Sequence, residues 1–362
     1  MNPGAVVIDE RWRWSDTIRC GMDDITNPPE ALIQSICAHY EVGEHYAQAY
    51  VRQWMGETQG PYPALDDILK LPPPWSVWFD YWMNTNRRAE QSWQEIEPLL
   101  PKGARRYLDI GCGVGGSLLA AHRRGLEVAG IEIDPARIEL GEANCLDAGL
   151  QGVIQTADIL DKELADRLGR FDVITLMSVI EHVLDVPRTL ENVARLLNPG
   201  GILFMEIPNR ESMSFVGADP HFSLFGITLL ERDEAIAYQH TFFETEYDVG
   251  DYFPLDFYQE HLEKAGCETR LMLKRWMAFS RLMISPLMLI RLGLAYWHYV
   301  RKTYPRLEPG LAIAIRKRYG RYLRKLAKSL VHRPWRLTDP RAVVVQHLLN
   351  VWVVIAVKIR GN

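Results

Sequence analysis

Cysteine is scarce in this chain: five in 362 residues, at Cys20, Cys37, Cys112, Cys145 and Cys267, an odd number without any Cys-x-x-Cys pair. That count excludes a disulfide-stapled scaffold and a zinc ribbon, and it fits reduced thiols in a cytoplasmic protein. Long apolar runs are missing too. The longest are broken by Arg281 and Arg291, short of the roughly 20 residues a bilayer crossing needs. The opening stretch, MNPGAVVIDERWRW, has neither a basic start nor an apolar core, so no export signal is expected. With 48% hydrophobic and 24% charged residues, collagen-like repeats and wholesale disorder are excluded as well. Length then allows two domains of about 150 residues, or one of about 250 with additions.

Acidic residues are almost absent from one end. From residue 271 onward, 19 Lys and Arg face only Glu308 and Asp339, which leaves 22 basic and 44 acidic side chains in residues 1–270. Such a split turns the basic part toward an anionic surface, either membrane headgroups or nucleic acid.

Four stretches follow from the patterning. Residues 1–100, rich in aromatics and turn signals (Trp75, Trp78, Trp82, Leu71-Pro72-Pro73-Pro74), read as an N-terminal cap of short helices; taken singly, each tryptophan more simply fills a small core. Residues 101–275 alternate strand and helix, the pattern of a doubly wound Rossmann-like parallel sheet. Its strands are expected at 106–110, 126–133, 152–156, 171–176, 202–207 and 268–273, with a turn at Asn198-Pro199-Gly200-Gly201. Residues 276–345 form a basic, amphipathic helical insertion, and residues 346–362 return a last strand at 351–359.

Chemistry concentrates at the carboxyl ends of these strands. The turn Gly111-Cys112-Gly113-Val114-Gly115-Gly116 lets a ligand approach bare backbone and a helix N-terminus. Gly111, Gly113 and Gly116 also fit G-x-G-x-x-G, so a nicotinamide or flavin oxidoreductase is a competing reading. Asp109 speaks against it, because a carboxylate there would repel a pyrophosphate while it could hold an ammonium. Glu132 closes the second strand where an acceptor for two ribose hydroxyls is wanted, and Asp158 after the third could accept from an adenine amino group.

The runs YLDIGCGVGG, GIEIDP, Asp158-Ile159, FDVITLMSVIEHV and LLNPGGILFMEIPN, in this order, resemble the motifs of class I S-adenosylmethionine-dependent methyltransferases. The resemblance covers about residues 104–210 closely, and 255–275 with 351–359 more loosely. It implies a seven-stranded sheet with an antiparallel last strand. It also implies that Asp109, Gly111 and Gly113 surround the methionine end of S-adenosylmethionine, that Glu132 binds its ribose, and that Asp158, Ile133 and Ile159 frame the adenine. Cys112 and Gly115 of the same turn, and Ser178 after the fourth strand, complete that expected set. In related enzymes of ubiquinone synthesis, the Glu-His pair matched here by Glu181-His182 is joined by a Glu three residues earlier that helps bind a divalent ion. That place is Ser178, so no metal site is expected.

Methyl transfer to a hydroxyl needs alignment and a group that takes the proton. The candidates are His182, His221 in the polar run Ala218-Asp219-Pro220-His221-Phe222, and His240; each also has a plain structural reading, as a strand-end bond, a helix cap or a surface residue. The expected activity is O-methylation of a small-molecule, saccharide (glycan) or lipid-linked acceptor. RNA methylation is the alternative, and a non-catalytic cofactor-binding scaffold ranks lower. In the insertion, Arg316, Lys317, Arg318, Arg321, Arg324, Lys325 and Lys328 interleave with Tyr319, Tyr322 and Leu326. Just before them, Leu287, Met288, Leu289, Ile290, Leu292, Leu294, Tyr296 and Trp297 offer an apolar face. Together they suit an anionic membrane surface more than nucleic acid, which implies a peripheral position at the inner membrane face. The bland alternative is a solvated helical surface covering the sheet edge.

Overall fold

The computed structural model describes residues 28–58, 60, 62–72, 75–273, 285–331 and 343–360. The expectations for the N-terminal run and Cys20, and for Arg281 and the rims of the insertion, fall outside the described residues.

Helices α1 (Glu30–Tyr40), α2 (Glu44–Thr58), α3 (Leu65–Leu69), α4 (Trp75–Met83) and α5 (Thr85–Ile96) precede the sheet. The helical run expected from Trp75 onward is interrupted at Asn84, whose amide and Nδ2 both donate to the carbonyl of Asp80, at 3.0 and 2.9 Å. The first four helices enclose an aromatic cluster in which Trp54 meets Phe79 edge-on with centroids 5.4 Å apart. Trp75, Trp78 and Trp82 are partly buried around it, so the simpler core-filling reading holds for them.

The sheet strands are β1 (Arg106–Ile110), β2 (Glu127–Glu132), β3 (Ile154–Thr156), β4 (Phe171–Leu176), β5 (Leu197–Pro208), β6 (Cys267–Leu271) and β7 (Val351–Lys358), in spatial order β3-β2-β1-β4-β5-β7-β6. The first five run parallel, and β7 runs antiparallel to both β5 and β6. This is the seven-stranded sheet that the motifs imply. β1 and β4, flanked on both sides, are almost wholly buried, which explains their unbroken apolar runs. Helices α6 (Gly116–His122), α7 (Pro135–Leu146), α8 (Leu164–Leu168), α9 (Val186–Leu196), α10 (Met213–Gly217), α11 (Arg232–His240) and α12 (Leu255–Lys264) surround it. Asp134 caps α7 by accepting from the Ala136 amide, with Pro135 in the first turn where its missing N–H costs nothing.

One boundary differs from expectation. The turn at 198–201 lies inside β5: Phe171 pairs with Leu197 and Val173 with Ile202, so the intervening residues bulge out of the ladder. Gly200, at φ 82°, permits it.

The described part of the insertion consists of helices α13 (Ser285–His298) and α14 (Pro309–Val331) with a short irregular link. It packs on α10, on α11 and on the turn at Ile227–Leu229 between them, in the segment after β5. Met288, Leu292, Tyr319, Tyr322 and Leu326 are buried in the main core, and Tyr296 is packed against it, so part of the face expected to be outward points inward. No helix among the described residues is long and apolar enough to cross a membrane.

Candidate active site

Strand order brings the glycine-rich turn after β1 beside the end of β2. Gly111 and Gly113 adopt φ of 66° and 52°, a region that side chains strain to enter, and a Cβ added at Gly113 would meet nothing within 4 Å. The backbone at Gly113 is open to a ligand, whereas the Val179 side chain fills the space beside Gly111. Glu132 forms the floor. Its carboxylate accepts from the amides of Gly113 (2.9 Å), Ile133 (2.8 Å) and Asp134 (3.1 Å), tying the turn to β2 while part of its acceptor capacity stays unused. Next to it Ile133 is 68% exposed, an apolar side chain displayed at a strand end where a flat aromatic ring could rest. Asp158 is exposed and accepts from the Leu160 amide at 2.8 Å; Ile159 below it is buried.

Asp109 is buried, and its Oδ1 accepts from the Thr175 hydroxyl at 2.6 Å. Burial pushes its pKa up to about 7, against the hydrogen bonds of Thr175 and Tyr107, with the charge of Glu132 adding to the rise. Cys112 is buried; burial and the same two carboxylates push its thiol far up, so it is an unreactive packing residue in the turn. Gly115 caps α6 at φ 76°. Ser178, exposed in the bend after β4, holds the left-handed φ of 55° that few non-glycine residues adopt.

The helical cap is fastened to this turn. Asn144 donates to the carbonyl of Val114 at 2.8 Å and exchanges hydrogen bonds with Asn86 at 2.9 and 3.0 Å, while Val114 joins the aromatic cluster of the cap. Neither asparagine was singled out from the sequence; they are 58 positions apart, and only the fold pairs them.

After β4 stand Glu181 and His182, joined by His221 from the loop after β5; their ligating atoms all lie within 4.8 Å of one another. The rings of His182 and His221 meet edge-to-face with centroids 5.2 Å apart. His182, its side chain 34% exposed, donates from Nδ1 to the Asp248 carbonyl at 3.0 Å. A carbonyl can only accept, so Nε2 carries the free lone pair. His221 is held by its loop: Asp219 accepts from the amides of His221, Phe222 and Leu224, and its Oδ2 lies 3.6 Å from His221 Nδ1. Burial opposes protonation of His221, but Asp219, Glu181 and Asp248 together raise its pKa above the ordinary value. Glu181 is pushed up by burial, against the pull of the two imidazoles. Glu181 Oε2 and His221 Nδ1 are buried without a hydrogen-bond partner, a cost that an incoming group would remove.

Two of the three histidine candidates are therefore brought together. His240, exposed at the end of α11, stands outside the group. The sequence reading missed Asp219 as the group that fixes His221, although Asp two positions before a polar residue in a loop is the pattern of an Asx turn. One carboxylate and two imidazoles are also donors that a divalent cation accepts, with His221 supplying what Ser178 cannot.

The family described as a methyltransferase domain matches residues 81–271. A ubiquinone biosynthesis O-methyltransferase of Paracidovorax citrulli is 34% identical over 122 residues, which is 33% of this chain and 51% of the relative. One of Xanthomonas axonopodis is 35% identical over 125 residues, 33% of this chain and 52% of the relative. The chain thus spans about half the length of the curated relatives it matches. Among solved structures, a phosphoethanolamine N-methyltransferase of Haemonchus contortus in complex with S-adenosyl-L-methionine is 17% identical, covering 71% of this chain and 49% of that one, at a TM-score of 0.37.

Proposed function

Because the chain belongs to the methyltransferase domain family, we propose that it binds S-adenosylmethionine over the turn after β1 and methylates a hydroxyl of a small-molecule, saccharide or lipid-linked acceptor. The observation that carries this reading is the pairing of an open glycine turn, tied to Glu132, with a histidine group whose buried atoms lack partners.

Glu132 accepts from the ribose hydroxyls, Asp109 faces the ammonium of the methionine end, and Ile133 with Asp158 and Ile159 frames the adenine. Gly111, Cys112, Gly113 and Gly115 supply the backbone and Ser178 the far rim. When bound, the cofactor supplies an electrophilic methyl group on a sulfonium sulfur. Transfer of that methyl to an acceptor oxygen would leave the cofactor as a neutral thioether, and the hydroxyl proton would pass to an imidazole. His182 Nε2 and the ring of His221 are the bases, and Asp219 positions His221. His240 is given no role. A lipid-linked acceptor places the chain in the cytoplasm, peripherally at the inner membrane face, where the basic insertion would meet anionic headgroups.

The test is transfer of a labelled methyl group into a cell extract separated into lipid, glycan, RNA and small-molecule fractions. Label in the lipid, glycan or small-molecule fraction is expected. Label confined to RNA would replace the acceptor class, and cofactor binding without any labelled product would reduce the protein to a scaffold.

A further inference from the structure

Helix α13 is apolar on two sides. Met288 and Leu292 turn inward, and Tyr296 and Tyr299 stack around Phe225. On the other side Leu287, Ile290, Leu294 and Trp297 recur at intervals of three, four and three residues, which aligns them in one stripe. They are 62%, 61%, 61% and 55% exposed, and none of them joins the core clusters of the described residues.

The neighbouring helix divides in the same way. Ala312, Ile315, Tyr319, Tyr322 and Leu326 pack inward, while Arg316, Lys317, Arg321, Arg324 and Lys328 face solvent. Two other cations fasten the pair to the body: Lys325 reaches Glu211 at 2.6 Å, and Arg318 reaches Glu231 and Glu234, each at 2.7 Å. Between residues 285 and 331 there are eleven Lys and Arg against the single acid Glu308. At the end of the stripe the Arg301 guanidinium lies 4.6 Å over the Trp297 ring, an aromatic edge with a cation beside it.

We infer that the outward faces of α13 and α14 form a docking surface for an anionic lipid bilayer, with Leu287, Ile290, Leu294 and Trp297 entering the headgroup boundary and the surrounding cations meeting the lipid phosphates. An apolar stripe bordered by Lys and Arg, on helices unable to span a membrane, is the composition of an interfacial helix. Charge selects this occupant. A second copy would bring two such cationic faces together, and RNA would engage the cations while leaving four large apolar side chains in water. Residues 1–270, with 44 acidic and 22 basic side chains, are repelled by the same lipid, so docking is confined to one side. That side backs onto the loop of His221: Phe225, three residues beyond Phe222, lies against Tyr299 and Tyr319 with centroids 5.0 and 4.9 Å away. The inference rests on the membrane-side reading of the acceptor above, but docking is measured apart from turnover.

The experiment is flotation of the full chain with vesicles of phosphatidylcholine containing about 30% phosphatidylglycerol, and with phosphatidylcholine alone. The chain floats with the anionic vesicles and is released at about 0.5 M salt. The double variant Ile290→Glu, Leu294→Glu floats about ten-fold less, and so does Lys317→Glu, Arg321→Glu, Arg324→Glu. Thermal unfolding and calorimetric binding of S-adenosylmethionine stay as in the wild type, which separates failure of docking from failure of the methyltransferase reading. Equal flotation of either variant, equal binding to neutral vesicles, or absence of flotation with self-association or RNA binding through these residues would overturn the inference.

Discussion

At the glycine turn the carboxylates already have protein partners; in the histidine group two buried atoms lack a hydrogen bond. Glu132 is bonded to three backbone amides and Asp109 to Thr175, so the floor under the glycine turn is preformed. In the histidine group Glu181 Oε2 and His221 Nδ1 are buried without a hydrogen-bond partner, with Asp219 Oδ2 3.6 Å from that nitrogen and its carboxylate fixing the loop. A side that is satisfied in advance binds without rearrangement. A side that is not keeps its capacity for a group that arrives later. The two should respond differently to substitution, binding on the first and turnover on the second.

The largest expected effect is on the unpaired side. His221→Ala should lower turnover by about 100-fold or more, as loss of a positioned base does, with affinity for S-adenosylmethionine intact in calorimetry; an unaltered rate would remove His221 from the chemistry. On the preformed side, Glu132→Ala should weaken cofactor binding by about 1–3 kcal/mol, and an unchanged dissociation constant would break the comparison.

A pH series sharpens the contrast. Asp109, with its pKa near 7, is partly protonated at neutral pH in the free protein, and a bound ammonium favours its carboxylate. Binding then releases a proton, so cofactor affinity should fall as pH is lowered through about 7, seen as buffer-dependent heats in calorimetry. The sign for stability is set by the same group: its folded pKa lies above the ordinary 3.8, the native state holds the extra proton between the two values, and stability declines as pH rises from about 4 to 7. The slope should be absent in Asp109→Asn, and an identical pH profile of that variant would assign it elsewhere.

The smallest effect concerns Asp219. The carboxylate raises the pKa of His221, so the acid limb of the rate profile should move to lower pH in Asp219→Asn while the cofactor constant holds. Chelators should leave turnover unchanged if His182 and His221 move protons; loss of activity restored by a divalent cation would recast Glu181, His182 and His221 as its ligands.

The legible part of the molecule was the part made by neighbours in sequence. β1 and β4 announce themselves because a strand covered on both faces is apolar throughout, and the glycine turn and Glu132 follow from strand ends. The strand at β7 was readable from its β-branched run and its antiparallel direction from the family resemblance, whereas its place between β5 and β6 comes from the ladders. What pattern alone could not give depends on distant packing. The sides of α13 are both apolar, so periodicity does not say that Leu292 goes in and Leu294 out. Asn86 finds Asn144, and His221 finds His182, only after the cap and the loop beyond β5 have folded over the sheet.

The most direct measurement is calorimetric titration of the full chain with S-adenosylmethionine, beside an identical titration with NAD. The account predicts one saturable site for the sulfonium nucleoside, weakened by Glu132→Ala, and no heat from the dinucleotide. Saturable binding of NAD, or no binding of S-adenosylmethionine at millimolar concentration, would contradict it.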